Sequence, residues 1–209
     1  MRYILQVAQG ASQARLDKLI EERIKPDSDK DAIDARIWDL FGESWAIMFT
    51  DLAGFSRRVA EFGVIHFLQT IYEAQRLLVP CIDRHDGILL KMEGDSMLVI
   101  FRRATRALSC AIDMQRTLKA YNEDKADSED VLLCVGLGYG RVLRIGDNDV
   151  FGAEVNAASK LGEDTAKAWE ILITDSVKNT VGEMPGVRFD ECEAVVPGAV
   201  RAFKVAYRF

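Results

Sequence analysis

An α+β domain with a ferredoxin-like βαββαβ core is predicted by three observations in this 209-residue chain. Short apolar runs of strand character alternate with longer segments of helical period. Two of those runs, 88–91 and 96–101, lie close enough to pair as a hairpin around Glu93-Gly94. The order strand, helix, hairpin, helix, strand is the split βαβ arrangement, whose antiparallel sheet carries helices over one face and leaves the other open. Such an open face invites a ligand or a second subunit.

The elements follow in order. Residues 12–24 have helical spacing, with Leu16, Leu19, Ile20 and Ile24 on one side, and Pro26-Asp27-Ser28-Asp29 ends them. A second short helix at 31–40 aligns Ile33, Ile37 and Leu40. Residues 1–43 are therefore read as an N-terminal helical segment and 44–209 as the main domain. The apolar face of that segment needs a partner, either the main domain or a second copy of the chain. Residues 45–51 form the first strand. Residues 56–84 form a long helix with Val59, Phe62, Phe67, Ile71 and Leu78 on its apolar face and Ser56 as N-cap. His85-Asp86-Gly87 turns into the hairpin. The second helix, 104–121, aligns Ala107, Leu108, Ala111, Met114 and Leu118. A strand at 131–138 completes the core. Beyond it come a short strand at 141–145, a turn at Asp147-Asn148, a helix at 154–163, a strand at 171–174 and a short helix at 176–181. A closing strand pair at 187–191 and 200–207 ends the chain.

Bulk composition narrows the function. Of the residues 49% are hydrophobic and 29% charged, enough to bury a real core. The formal net charge of -6 argues against a general nucleic-acid binder, which carries a basic face. The strands also lack the paired aromatic platform of an RNA-binding split βαβ module. Cys81, Cys110, Cys134 and Cys192 form no CxxC pair and read as buried small hydrophobes in a reducing compartment. No signal peptide opens the chain and no apolar run is long enough to insert in a membrane, so a cytoplasmic location is expected.

Two aspartates carry the chemistry. Asp51 ends the run Trp45-Ala46-Ile47-Met48-Phe49-Thr50, and Asp95 precedes the run Met97-Leu98-Val99-Ile100-Phe101. Each sits at a strand edge near a glycine, and strand pairing brings them together. Paired carboxylates of this kind suit two hard divalent cations, Mg2+ or Mn2+, and phosphoryl transfer. Gly54 lets the backbone approach a ligand, and the N–H groups of Ala53, Gly54 and Phe55 at a helix start suit phosphate oxygens. Asn156 and Lys160, four apart, share a helix face and could hold a ribose and a developing phosphate charge.

Phe49-Thr50-Asp51-Leu52-Ala53-Gly54-Phe55-Ser56, Lys91-Met92-Glu93-Gly94-Asp95, and Asp149-Val150-Phe151-Gly152 leading to Val155-Asn156-Ala157-Ala158-Ser159-Lys160 together resemble the class III nucleotidyl cyclase catalytic domain over roughly residues 45 to 208. The resemblance implies a homodimer with shared active sites and a nucleoside triphosphate substrate. Asp51 and Asp95, helped by the Leu52 carbonyl, would hold two divalent cations. Lys91 and Asp149 would read the base and Asn156 would orient the ribose, facing metals held by the other subunit. The reaction would be attack of the ribose 3′-hydroxyl on the α-phosphate, releasing pyrophosphate. Lys160 stands where the family carries a transition-state arginine, so the charge is kept and the bidentate fork is lost. The stretch between Gly140 and Asp149 is short for the family.

A lysine and an aspartate at the base-reading positions resemble the adenylate cyclase pattern and disfavour GTP. The organisation, a catalytic domain behind a short helical preface with no sensor, receptor or membrane domain, is instead similar to the pyrimidine cyclases of bacterial anti-phage Pycsar systems. Those turn UTP or CTP into cUMP or cCMP to signal to an effector. A pyrimidine substrate is the favoured expectation and ATP the alternative. Two further readings stand beside them: a non-catalytic cyclase-like regulator, and a diguanylate cyclase. The second is disfavoured because the hairpin reads Glu93-Gly94-Asp95 and lacks the Gly-Gly-Asp/Glu-Glu-Phe pattern.

Overall fold

The structure is a computed structural model that describes residues 10–54, 62–126, 129–147, 149–193 and 196–208. Its elements in chain order are α1 (Ala11–Arg23), α2 (Lys30–Phe41), β1 (Gly42–Leu52), α3 (Val64–Arg84), β2 (Ile88–Glu93), β3 (Ser96–Phe101), α4 (Ala104–Asn122), β4 (Leu133–Ile145), β5 (Asp149–Phe151), α5 (Ala153–Ser159), a π-helical turn (Lys160–Thr165), β6 (Ile171–Thr174), α6 (Asp175–Val181), β7 (Val187–Cys192) and β8 (Ala202–Tyr207). The βαββαβ core is present from β1 to β4. Ser56, read as a helix N-cap, lies outside the described residues.

One eight-stranded mixed sheet runs β2-β3-β1-β4-β6-β8-β7, with β5 paired to β4. β1 lies antiparallel between β3 and β4, and β6 runs parallel to β4. The register is set by alternation along β1. Ala46, Met48 and Leu52 point to one face and join Val99, Phe101, Val135 and Leu137 beneath α3 and α4, where Leu78, Leu108, Met114 and Leu118 are fully buried. Burying a leucine of this kind contributes roughly 1.5–3 kcal/mol, so this layer is the main source of stability.

The second face differs from expectation. It is not left open. Trp45, Ile47, Leu98, Ile100 and Val142 on that face pack against Val150, Val155 and Ala158, so α5 covers part of it. The reason is a glycine row on β4. Gly136, Gly138 and Gly140 share one face of the strand, and a Cβ on Gly136 would come within 2.1 Å of the Ala158 carbonyl oxygen. On Gly138 it would come within 2.3 Å of the Glu154 carbonyl oxygen. Without side chains there, α5 and the π-helical turn lie directly on the strand backbone.

Residues 131–138 and 141–145, read as two strands, form the single strand β4. Its end pairs with β5 in the register Ile145↔Asp149, so the short stretch before Asp149 is a tight hairpin turn that begins at Gly146, φ 60°. The N-terminal helices find their partner within the chain: Leu19, Ile33, Ile37 and Phe41 pack on Ile145 of β4. Arg23 pairs with Asp34 and Arg36 with Glu22, which ties α1 to α2. Among the described residues no helix is long and apolar enough to cross a membrane.

Candidate active site

Asp51 sits one residue from the end of β1, and Asp95 sits in the β2–β3 turn after Gly94, whose φ of 60° gives the turn its left-handed bend. Antiparallel pairing of Thr50 with Met97 sets Ser96 beside Asp51, and the Ser96 hydroxyl donates to Asp51 Oδ1 at 3.3 Å. The two carboxylates are close enough to perturb one another. Burial first, and then the charge of Asp95, push Asp51 up to about 6. Burial likewise raises Asp95, partly offset by hydrogen bonds from backbone N–H groups. Two half-buried acids that resist ionising together are a site built to receive positive charge.

The donor set fits Mg2+ or Mn2+. Among the described residues no group of three or more His, Cys, Asp or Glu side chains converges into a cage. Hard ions of this size are characteristically held by one or two carboxylates, with water and substrate phosphate completing the shell. Asp51, Asp95 and the Leu52 carbonyl match that sparse, all-oxygen pattern.

The phosphate-binding backbone is redistributed. The Ala53 N–H, read as a phosphate donor, is spent on the Leu132 carbonyl at 2.8 Å, because β1 keeps pairing past Leu52. Gly54 is exposed with φ 86°, a conformation that favours glycine. Phe55 lies outside the described residues.

Lys91 and Asp149, 58 residues apart, meet: Lys91 Nζ lies 2.7 Å from Asp149 Oδ2. They line a small cavity of about 140 Å³ together with Phe49, Glu93, Ser96 and Glu163. A donor and an acceptor side by side at its wall can read one edge of a flat base. Asp149 is placed by the β4–β5 hairpin, and its Oδ1 accepts from the Val150 N–H at 3.0 Å.

Asn156 and Lys160 are both exposed on α5 and its extension. Lys160 pairs with Asp164 one turn on. Among the described residues no hydrogen bond or ion pair joins either residue to Asp51 or Asp95, so within one chain they stand apart from the carboxylate pair.

Three contributors were not read from the sequence. Glu154 anchors α5 to the sheet, accepting from the Tyr139 N–H at 3.0 Å and from the Thr174 hydroxyl at 2.8 Å. Its position over Gly138 and Gly140 was signalled by the Gly136-Leu137-Gly138-Tyr139-Gly140 spacing, since glycines at every second strand position clear one face. Ser96 is fixed only by strand register. Glu163 adds a third carboxylate whose charge helps raise Asp51. It reaches the cavity because the helix widens into a π turn at Lys160–Thr165, a device frequent at functional sites.

Residues 42–202 match the family model of the adenylate and guanylate cyclase catalytic domain. The chain belongs to this family. An adenylate/guanylate cyclase/hydrolase structure from Silicibacter pomeroyi superposes with TM-score 0.65 at 26% identity, covering 78% of this chain and 96% of that one. The adenylyl cyclase CyaB from P. aeruginosa, at 19% identity and TM-score 0.67 over 80% of this chain and 96% of its own, shares the fold. A Rhizobium meliloti (strain 1021) protein that carries adenylate cyclase 3 as a provisional name is 29% identical over 136 residues, 65% of this chain and 23% of its own length. The serine/threonine-protein kinase pkn2 of Myxococcus xanthus is 28% identical over 157 residues, 75% of this chain and 19% of its own. The chain thus spans about a fifth of the length of these two relatives.

Proposed function

We propose that this chain is a nucleotide cyclase that converts a nucleoside triphosphate into a 3′,5′-cyclic nucleotide and pyrophosphate. The observation that carries the reading is the juxtaposed pair Asp51 and Asp95 at the edge of a cyclase-family sheet. Asp51, Asp95 and the Leu52 carbonyl would hold two divalent cations, which would supply charge neutralisation on the triphosphate and acidify the 3′-hydroxyl. Gly54 lets the backbone approach the phosphates. The ribose O3′ bonds to the α-phosphorus, the bond from that phosphorus to the bridging oxygen of the pyrophosphate breaks, and the hydroxyl proton passes to solvent. Asn156 holds the ribose so that O3′ stands in line with the leaving group. Lys160 places positive charge beside the α-phosphate as charge builds there.

The active form is a homodimer with shared sites. Exposure of Asn156 and Lys160, apart from the carboxylate pair, supports this, since each would serve the metals of the partner subunit. The apolar stripe Val64, Ile65, Leu68 and Tyr72 on α3 is also exposed and suits burial in an assembly.

The substrate is a pyrimidine triphosphate, UTP or CTP, and the product cUMP or cCMP is a signal for a separate effector in anti-phage defence. The small volume of the cavity at Lys91 and Asp149 supports a single-ring base. ATP is the second reading, favoured by the Lys91–Asp149 donor and acceptor, which suit adenine N1 and the N6 amine. Incubation with each of the four triphosphates and Mn2+, with products identified by mass, tests the reading. Formation of cAMP alone removes the pyrimidine assignment. Silence with all four favours a non-catalytic regulator.

A further inference from the structure

A second cavity lies on the α3 and α4 side of the sheet, between the end of α3, the middle of α4 and the residues around the end of β8. Its volume is about 640 Å³, within the usual range for small-molecule sites. It shares no lining residue with the cavity at Lys91 and Asp149. Arg84 at the end of α3, Arg116 on α4 and Arg208 after β8 all line it, with His85 and Asp113 between them.

In a chain of net charge -6, three guanidinium groups face one carboxylate here. Asp113 is already shared, holding Arg84 at 3.0 Å and His85 Nε2 at 3.2 Å. It therefore orients two donors rather than neutralising three charges. Arg116 donates through Nε and Nη2 to the Arg208 carbonyl at 3.1 and 2.7 Å, which pins the end of β8 beside the cavity without cancelling its charge. Among the described residues neither Arg116 nor Arg208 has a carboxylate partner. His85 Nδ1 is buried with no hydrogen-bond partner. The remaining wall is apolar, with Ile112, Met184 and Tyr207.

We propose that this cavity is an anion site that takes a phosphate group between Arg84, Arg116 and Arg208. Arg84 and Arg116 spend Nε and Nη2 on Asp113 and on the Arg208 carbonyl, so their remaining N–H groups together with the Arg208 guanidinium would meet the anion. Donors from three separate segments match a tetrahedral anion with several oxygens better than one planar carboxylate. Two sources of that group fit: inorganic phosphate, or a nucleoside monophosphate whose ring lies on Met184 and Tyr207.

The test is calorimetric titration of the full chain in EDTA at constant ionic strength, with inorganic phosphate in one arm and UMP in the other. Saturable binding is expected in at least one arm. Tighter UMP binding assigns an organic phosphate, and equal affinity assigns inorganic phosphate; both support the site. Arg116→Gln and Arg208→Gln should each weaken binding by about tenfold or more. Arg208→Gln leaves the Arg208 carbonyl in place, so it carries the test if Arg116→Gln disturbs folding. Asp51→Asn should bind as the wild type does, which separates this site from the cyclase centre. No saturable binding of either probe, unchanged affinity in a folded Arg208→Gln variant, or loss of binding in Asp51→Asn would overturn the proposal.

Discussion

Asp51→Asn should stabilise the metal-free chain at neutral pH while abolishing cyclisation. Burial and the Asp95 charge raise Asp51 from 3.8 to about 6. At about 1.4 kcal/mol per pKa unit, that elevation corresponds to roughly 3 kcal/mol in a dry site. Asp51 is only half-buried, so water screening reduces the figure to about 1 kcal/mol. The sign follows from the direction of the shift. An acid whose folded-state pKa is raised contributes stability below its ordinary pKa and loses it as pH rises through the folded-state value. The wild-type chain thus carries the penalty above pH 6, and the amide does not. An asparagine Oδ1 still accepts from Ser96. In EDTA at pH 8 the variant should melt about 2–4 °C higher, and the advantage should disappear near pH 4. Adding Mn2+ with a nucleoside triphosphate should reverse the order, because only the wild type gains binding energy. A variant that melts lower than wild type in EDTA at pH 8, or that gains as much from Mn2+ and nucleotide, would refute a charge-strained metal site.

Further expectations concern the second layer, the transition state and the dimer. Gly136→Ala should cost about 1–3 kcal/mol in chemical denaturation and depress cyclisation, because its Cβ meets the Ala158 carbonyl and Gly162 N–H backbone; an unchanged midpoint would show that α5 can lift without consequence. Lys160→Ala should lower kcat by about 100-fold, and Lys160→Arg should hold or raise it, measured as pyrophosphate release. Equal kcat in all three proteins would remove Lys160 from the reaction. Ile65→Glu with Leu68→Glu charges the exposed α3 stripe; light scattering should show monomer and activity should fall together. A monomer of full activity would contradict the shared site.

Legibility followed the range of the interactions. The β1 run, the β2–β3 hairpin and the α4 periodicity are local patterns, and the structure has them within a few residues. The 131–138 and 141–145 segments were read as separate because Gly138, Tyr139 and Gly140 look like a break. They continue as one strand because β1 supplies partners along the whole length, including Trp45↔Gly140. The covered second face was missed for a related reason. Glycines lower strand propensity when read locally, whereas here they clear the surface on which α5 rests. Glu163 was unreadable because a regular helix period does not foresee a π turn.

The candidates for chemistry come from the sequence itself: Asp51 and Asp95 from carboxylates at strand edges, Asn156 and Lys160 from a shared helix face, and Lys91 and Asp149 from the resemblance to the cyclase motifs. Which of them lie together was decided by tertiary structure. Strand register pairs Asp51 with Ser96 and brings it to Asp95, and the β4–β5 hairpin carries Asp149 to Lys91 across 58 residues. The same packing leaves Asn156 and Lys160 facing outward. The physical reason is that periodicity and capping report the few residues around a position, while charge coupling depends on separation in space. Only the assembled sheet sets that separation.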